Sequence, residues 1–191
     1  MNKYCIYIIC LFCSLYADVK YLIICPSDID AAAQILSNLH NNEVEQNYQL
    51  TTEIVHTEII YSYYSELSEN QAIRSYLLDE IATNVDIQYL LLIGDEVNIP
   101  PIMNDNSSPS DDFYTSADPL TGNPQLSTGR IPVNTPESAI TIANKIRGYM
   151  LNPAEGDWIS TMMLIADDEH KEGAFNYSEL SHTTNSDKIY D

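Results

Sequence analysis

The sequence predicts an α/β fold with a doubly wound, mostly parallel sheet and flanking helices. Short continuous apolar runs, of the kind buried on both faces of a parallel sheet, occur at Tyr21–Cys25, Gln88–Ile93 and Met162–Ala166. Segments whose apolar residues recur at helical spacing lie between these runs. The predicted order is β-α-β-α-β-loop-α-β, and 191 residues are enough for one domain with a substantial core.

The first half of the chain carries local signals for two helices and a further strand. Asp28 is expected to cap a helix after the first strand, because its side-chain oxygens can accept from free backbone N–H groups. Thr51–Tyr61 alternates and is rich in β-branched residues, which indicates a strand. Ser68, with Gln71 three residues later, predicts a capping box for a helix that runs through Ile81.

The second half begins with an oxygen-rich connection. Ile102–Thr128 predicts a long polar loop with room for short hairpins, and Gly129-Arg130 is interpreted as a turn that closes it. Thr135 and Pro136 are typical of a helix start, and apolar residues follow at helical spacing.

The amino terminus has the layout of a secretory leader. Lys3 supplies the positive charge, Tyr4–Leu15 is the apolar region, and Leu15–Ala17 fits a cleavage site of small residues. A core strand or a short membrane anchor is the alternative, but the run is shorter than the roughly 20 residues of a spanning helix. We therefore predict a signal peptide over residues 1–17, one exported domain over 18–191, and no membrane span in the mature chain.

The charge balance excludes several classes of partner. The chain has 28 acidic and 8 basic residues, a formal net charge of −20. Nucleic acid and anionic membranes are not expected as partners, because phosphate contacts need Lys and Arg. Carboxylates suit hard cations such as calcium, although a solvated acidic surface explains most of them equally well. After residue 17 the sequence contains no glycine-rich phosphate loop, GxSxG or CxxC motif.

The cysteines point to a chain without an internal disulfide. Three of the four, Cys5, Cys10 and Cys13, lie in the predicted leader. The mature chain keeps Cys25, which ends an apolar strand. We interpret Cys25 as a buried structural residue, because buried cysteine is common in such strands.

Carboxylates follow two of the predicted strands. Gly94-Asp95 comes after one, and Asp167, Asp168 and Glu169 come after another. The carboxyl ends of parallel strands share one sheet edge, where α/β proteins bind ligands. Acids there can orient a histidine, bind a cation or recognise a basic side chain. The alternative is that they cap the turns that follow.

The histidines carry weak signals. Glu179 and His182 are three residues apart and would share a helix face, but zinc would need further ligands. His40 and His56 have no motif around them, and we interpret them as structural or solvent-exposed.

A series of motifs stands in a characteristic order from Tyr89 onward: YLLLIGDEVNIPP, SDDFY, STGRIPV, TPESAITIANKIRGYM, GDW and LIADDE. Their order and spacing resemble the N-terminal part of the catalytic domain of the gingipain family of cysteine peptidases. The resemblance covers the chain from about Tyr21.

This resemblance implies an exported cysteine-type endopeptidase with a caspase-like fold that acts on protein or peptide substrates. Its chemistry would use a cysteine nucleophile and a histidine base in a His-Gly turn. The sequence contains neither a His-Gly pair nor a second mature cysteine. We therefore expect a truncated domain that is inactive alone.

The resemblance also assigns roles to two acids after the last predicted strand. Glu169 matches the acid that assists or orients the catalytic histidine. Glu179 falls near the acidic position that lines the pocket for the P1 side chain in arginine-cleaving members. Both roles are implied by the resemblance alone.

Calcium is the cofactor that the resemblance implies, although the chemistry does not require it. Asp95 matches a calcium ligand, and further ligands would come from the loop before Gly129. Relatives carry acids in that loop, where this chain has Asn123 and Gln125. Amides supply oxygens without charge, which weakens binding. With a carbonyl from Asp118, calcium would lie between Asp95 and this loop.

Two alternatives remain open at this level. A secreted binding module on the same fold would lack the catalytic residues, and fold alone does not separate it from an enzyme. A metal hydrolase would use four residues of the predicted sheet edge and the segment after it: Asp95, Asp167, Asp168 and His182.

Overall fold

The computed structural model describes the chain in four stretches, residues 19–103, 108–118, 123–164 and 188–189. The predicted signal peptide lies outside them. The chain divides into two compact units, residues 1–153 and 154–191.

The described residues of the first unit contain six strands and four α-helices. The strands are β1 (Tyr21–Cys25), β2 (Thr52–His56), β3 (Tyr89–Ile93), β4 (Ile102–Met103), β5 (Pro109–Ser110) and β6 (Ser127–Ile131). The helices are α1 (Asp30–Asn38), α2 (Thr57–Tyr63), α3 (Glu69–Thr83) and α4 (Pro136–Leu151). Within the described residues, every helix is too short or too polar to cross a lipid bilayer.

A parallel sheet of four strands, in the order β2-β1-β3-β6, forms the centre of this unit. β1 and β3 are adjacent, with Tyr21 opposite Tyr89 and Ile24 opposite Leu92. Their side chains are buried from the second residue onward. The doubly wound parallel sheet predicted from the apolar runs is therefore confirmed.

Helices cover both faces of the sheet. Leu22 and Leu90 pack with residues of α2 and α3, such as Leu77, in one apolar cluster. Ile23 and Leu91 pack with residues of α1 and α4 in the other. Neighbouring strand residues point to opposite faces, so strands that are apolar throughout need helices on both sides.

The strand predicted at Thr51–Tyr61 is wrong in its second half. β2 ends at His56, and α2 begins at the buried Thr57. β2 pairs with β1, which ends at Cys25 opposite His56 and is followed by proline. A longer β2 would have no partner there, whereas helical spacing buries Ile60.

The helices α1 and α3 are present, but neither predicted side-chain cap forms, although Ser68 does occupy the N-cap position of α3. Asp28 lies in a 3₁₀ turn, and α1 begins at Asp30 with no side-chain cap. The Ser68 hydroxyl donates to Asn70 Oδ1, 2.8 Å away, which also accepts from the Gln71 backbone N at 2.9 Å. Asn70 thus occupies the hydrogen bonds that the capping box needs.

α4 begins as the sequence predicts. Pro136 occupies the first turn, and the Thr135 hydroxyl accepts from the Ser138 backbone N at 3.3 Å. The proline has no N–H group that would need a partner at this position.

The predicted turn at Gly129-Arg130 is wrong, because both residues lie inside β6. This strand escaped prediction because its first four residues are Ser, Thr, Gly and Arg. Gly129 faces Leu91 on β3, and a Cβ there would lie 4.0 Å from Leu91 Cδ1. The preceding connection contains the small hairpin β4–β5, in keeping with the predicted loop.

The second unit shows a 3₁₀ turn over Asp157–Ser160, where the Thr161 hydroxyl donates to the Asp157 carbonyl at 2.6 Å. The predicted strand at Met162–Ala166 is not present over its first three residues. Its last two residues lie outside the described stretches.

Candidate active-site edge

The sheet has its topological switch point between β1 and β3. From β1 the chain moves to β2 on one side, and β3 lies on the other side of β1. Connections that leave neighbouring strands in opposite directions open a crevice at their carboxyl ends. Ser27 and Asp95 follow the two strands at this edge. We call the carboxyl ends of the four parallel strands, with the loops that follow them, the switch-point edge.

Asp95 holds the turn after β3. Its Oδ1 accepts from the backbone N of Val97 at 3.0 Å and of Asn98 at 3.1 Å, and its carbonyl accepts from Ile99 N at 2.9 Å. Gly94 must be glycine, since its φ is +157° and a Cβ would lie 3.1 Å from the Asn98 Cβ. The capping interpretation of Asp95 therefore matches its contacts.

Arg130 joins β6 to this turn. Its Nη1 donates to the carbonyl oxygens of Gly94 at 2.9 Å, Asp95 at 3.2 Å and Ile99 at 3.0 Å. Its Nε and Nη2 donate to the two Asp111 carboxylate oxygens at 2.8 and 2.7 Å. Burial lowers the pKa of Arg130, but hydrogen bonding to Asp111 and its charge outweigh burial and raise the pKa above the usual value.

A buried tyrosine and a half-buried arginine fix the loop that carries Asp111. Tyr114 is fully buried, and its hydroxyl donates to the Pro100 carbonyl. Arg74 of α3 donates to the Phe113 carbonyl. The loop is thus tied to the sheet and to a helix, and it borders a cavity of about 210 Å³ whose lining includes Glu96, Pro101, Asp111 and Arg130.

The four predicted calcium ligands are not brought together. Gln125 precedes the start of β6, where Ser127 N donates to Gln88 O at 2.9 Å, whereas Asp95 follows the end of β3. A five-residue strand, roughly 16 Å long, therefore separates the two side chains.

The other two predicted ligands lie near Gln125. Residue 123 is two positions before Gln125, and Ser116, whose hydroxyl donates to the Asp118 carbonyl at 2.5 Å, bridges to Pro124. The four residues do not fit one calcium ion. Among the described residues, no three His, Cys, Asp or Glu side chains are grouped to hold a metal.

Cys25 and His56 end neighbouring strands opposite each other, and His56 Nε2 lies 2.9 Å from Asp30 Oδ1. The residue types are those of a thiol protease, but Cys25 is completely buried. Burial, followed by the charges of Asp30, Glu58 and Asp28, raises the pKa of the Cys25 thiol to about 12. A nucleophilic cysteine needs the opposite shift, so the prediction of a buried structural cysteine is confirmed.

Glu58 is a carboxylate at this edge that the sequence did not single out. Its Oε1 accepts from Ser27 N at 3.1 Å and from Ser27 Oγ at 2.9 Å. Burial raises the pKa of Glu58, but hydrogen bonds from backbone N–H groups and from the Ser27 hydroxyl outweigh it and lower the pKa. Glu58 therefore ties α2 to the turn after β1.

The model of peptidase family C25 matches residues 14–191. This match covers most of the chain. The chain belongs to peptidase family C25.

Solved structures support the same fold. The complex of Porphyromonas gingivalis RgpB pro- and mature domains is 22% identical, with a TM-score of 0.52 over 68% of this chain and 29% of that one. The Arg-specific cysteine proteinase gingipain R (RgpB) is 20% identical, with a TM-score of 0.53 over 69% and 28%. Dimeric latent PorU from Porphyromonas gingivalis is 19% identical, with a TM-score of 0.56 over 77% and 17%.

These similarities confirm the predicted gingipain-type, caspase-like architecture. The chain spans between 17% and 29% of the length of those three solved chains. No curated protein sequence matched the chain significantly.

Glu169 and Glu179, which the resemblance assigns to the peptidase site, lie outside the described stretches. So do Asp167, Asp168 and His182, which the metal-hydrolase alternative would use. His40 is described and is half-buried, with its ring edge-on to Tyr21 at a centroid distance of 4.9 Å. Burial lowers the pKa of His40, which fits the structural interpretation.

The sequence analysis did not identify Arg130 and Asp111 as residues that fix the loops of the switch-point edge. The one available signal was an arginine next to apolar residues in an acidic chain, since a buried cation needs an acidic partner.

Proposed function

We propose that the protein is an exported cysteine-type endopeptidase of family C25 that cleaves proteins or peptides. In this proposal residues 18–191 form the N-terminal part of the peptidase domain. The observation that carries it is the family match over residues 14–191. The parallel sheet, with a switch-point edge built by Asp95, Asp111 and Arg130, is consistent with that assignment.

The nucleophile and the base of this proposal come from outside these 191 residues. Cys25 is the single cysteine after the leader, and burial raises its pKa to about 12, so the thiol stays protonated at neutral pH. The sequence has no His-Gly pair. The chain alone is therefore inactive as a peptidase.

The described residues supply support for that chemistry. The Arg130–Asp111 pair and the Asp95 turn fix the loops beside the switch point, and a catalytic constellation needs such a rigid frame. In this proposal Glu169 orients the catalytic histidine and Glu179 binds a basic P1 side chain.

Export follows from the leader over residues 1–17, and the mature protein acts outside the cytoplasm. Calcium binding stays a prediction for the complete domain. Its ligands would not be the set Asp95, Asp118, Asn123 and Gln125.

The test compares the 191-residue chain with the protein expressed from the full reading frame. Both are assayed on fluorogenic peptide amides with Arg or Lys at P1. We expect hydrolysis by the full product, abolished by iodoacetamide, and none by the 191-residue chain. Hydrolysis that resists iodoacetamide but stops with a metal chelator would support a metal hydrolase. A full product that is folded and inactive would support a binding module.

A further inference from the structure

A groove lined by tyrosines and carboxylates lies between α2 and α3. Its volume is about 340 Å³, and its lining includes Ile59, Tyr63, Tyr64, Tyr76, Asp79 and Glu80. None of these residues lines the cavity beside Arg130. The groove is thus separate from the switch-point edge, and nothing in the proposed peptidase chemistry uses it.

The aromatic wall of the groove is open to solvent. Tyr63 is 80% exposed and Ile59 is 62% exposed, so both present apolar surface that the described fold does not cover. The Tyr63 and Tyr64 rings meet edge-on, 4.9 Å apart between centroids. Aromatic rings held in this way can present their faces to a cation.

The acidic wall lies in the last turns of α3. The Tyr64 hydroxyl donates to Asp79 Oδ2 at 2.6 Å, which fixes that carboxylate at the groove. Burial, and then the charge of Glu53, raise the pKa of Glu80 above its usual value. A hydrogen bond from Tyr76 opposes this rise, and the charge of Asp79 adds to it. A bound cation would relieve this repulsion between carboxylates.

The carboxyl-terminal turn of α3 is acidic. Carboxylates near a helix carboxyl terminus are unfavourable, because the partial charge there is negative and favours Lys or Arg. The last turn of α3 contains no basic residue, and α3 ends at Thr83 beside the groove. A basic group from another molecule would meet the helix terminus, Asp79, Glu80 and the tyrosine rings together.

We propose that this groove binds an arginine or lysine side chain presented by a basic peptide segment of a partner protein. The apolar surface of Ile59 and Tyr63 would contact the stem of that side chain or an apolar neighbour. Charge complementarity selects this occupant, since the chain itself carries a net charge of −20. A second copy of the same acidic chain is disfavoured for the same reason.

The probe is a labelled Leu-Arg-Leu-Arg-Leu peptide, and binding to the 191-residue chain is measured by fluorescence anisotropy. The comparison peptide carries citrulline, which is neutral and of similar shape, in place of arginine. We expect Asp79→Asn and Glu80→Gln each to weaken binding by about threefold to tenfold. Asparagine at position 79 keeps a side-chain oxygen that can accept the hydrogen bond from the Tyr64 hydroxyl.

Glu45→Gln is the matched control, since it makes the same change of charge at an exposed position outside the groove. We expect it to change affinity less than about twofold. Far-ultraviolet circular dichroism checks that each variant is folded. If Asp79→Asn does not fold, Glu80→Gln alone tests the acidic wall of the groove.

The proposal would be overturned if the chain bound the citrulline and arginine peptides equally, if the groove and control variants lost affinity equally, or if both groove variants kept their affinity. A dimer in sedimentation that Tyr63→Ala dissociates would also overturn it, in favour of a second copy. The peptidase proposal is independent of all these outcomes, because the groove variants leave the switch-point edge unchanged.

Discussion

Arg130 and Asp111 form a two-pronged ion pair, with Nε to Oδ2 at 2.8 Å and Nη2 to Oδ1 at 2.7 Å. Their side chains are only 16% and 25% exposed. The third arginine nitrogen, Nη1, is directed at backbone carbonyls of the turn after β3. One side chain thereby connects β6, the turn after β3 and the SDDFY loop.

Arg130→Lys is expected to lower the free energy of unfolding by about 2–3 kcal/mol, because lysine keeps the charge but has no planar fork. Chemical denaturation of the two proteins measures the difference. The control is Arg147→Lys, since the Arg147–Glu43 pair is more exposed and should contribute less than about 1 kcal/mol. Equal losses in the two variants would show that Arg130 acts as an ordinary surface charge.

Asp95 allows a test that separates a turn cap from a calcium ligand. Asp95→Ala removes the acceptor for two backbone N–H groups and should cost about 1 kcal/mol of stability. Asp95→Asn keeps a side-chain oxygen, so we expect a loss of less than about 0.5 kcal/mol with or without calcium. Thermal melts with added calcium or chelator provide the measurement. If calcium raises the Tm and Asp95→Asn abolishes that rise, Asp95 is a calcium ligand rather than only a turn cap.

The elements that could be predicted from sequence are those specified by local pattern. β1 and β3 are continuous apolar runs because both of their faces are buried, and α4 carries its own start signal in Thr135 and Pro136. Such signals lie within a few residues of the element that they specify. The same locality placed Asp95 at the switch-point edge.

The parts that could not be predicted depend on distant partners. β6 is polar, and its pairing with β3 becomes apparent only from the register of Gly129 against Leu91. The role of Arg130 depends on Asp111, 19 residues earlier in the chain. The point where β2 turns into α2 depends on where β1 ends. None of these relationships leaves a periodic pattern in the sequence.

Cys25 should react slowly with alkylating agents in the folded chain. Its pKa is raised from 9.0 to about 12, so the thiolate fraction at pH 8 falls roughly a thousandfold. We expect labelling by iodoacetamide, followed by mass spectrometry, to be at least a hundredfold slower in the folded chain than in urea. Similar rates in both conditions would mean that the thiol is accessible and would reopen its role as a nucleophile.

The same shift has a consequence for stability at high pH. The pKa of the folded state lies above that of the unfolded state, so the contribution of the neutral thiol is complete below about pH 9 and is lost as pH approaches 12. Cys25→Ala should flatten this part of the pH profile, because alanine does not titrate. Denaturation midpoints between pH 8 and pH 11 measure the difference between the two profiles, and parallel profiles would contradict the expectation.

The proposed leader can be tested apart from the proposed peptidase activity. Residues 1–17 are fused to a phosphatase reporter that is active only outside the cytoplasm. We expect export, and we expect Leu11→Arg to abolish it, because a charge in the middle of the apolar region opposes entry into the membrane. Leu11→Ile keeps the apolar character and is the control. Reporter activity that survives Leu11→Arg would show that these residues are not a signal peptide and would return them to the folded domain.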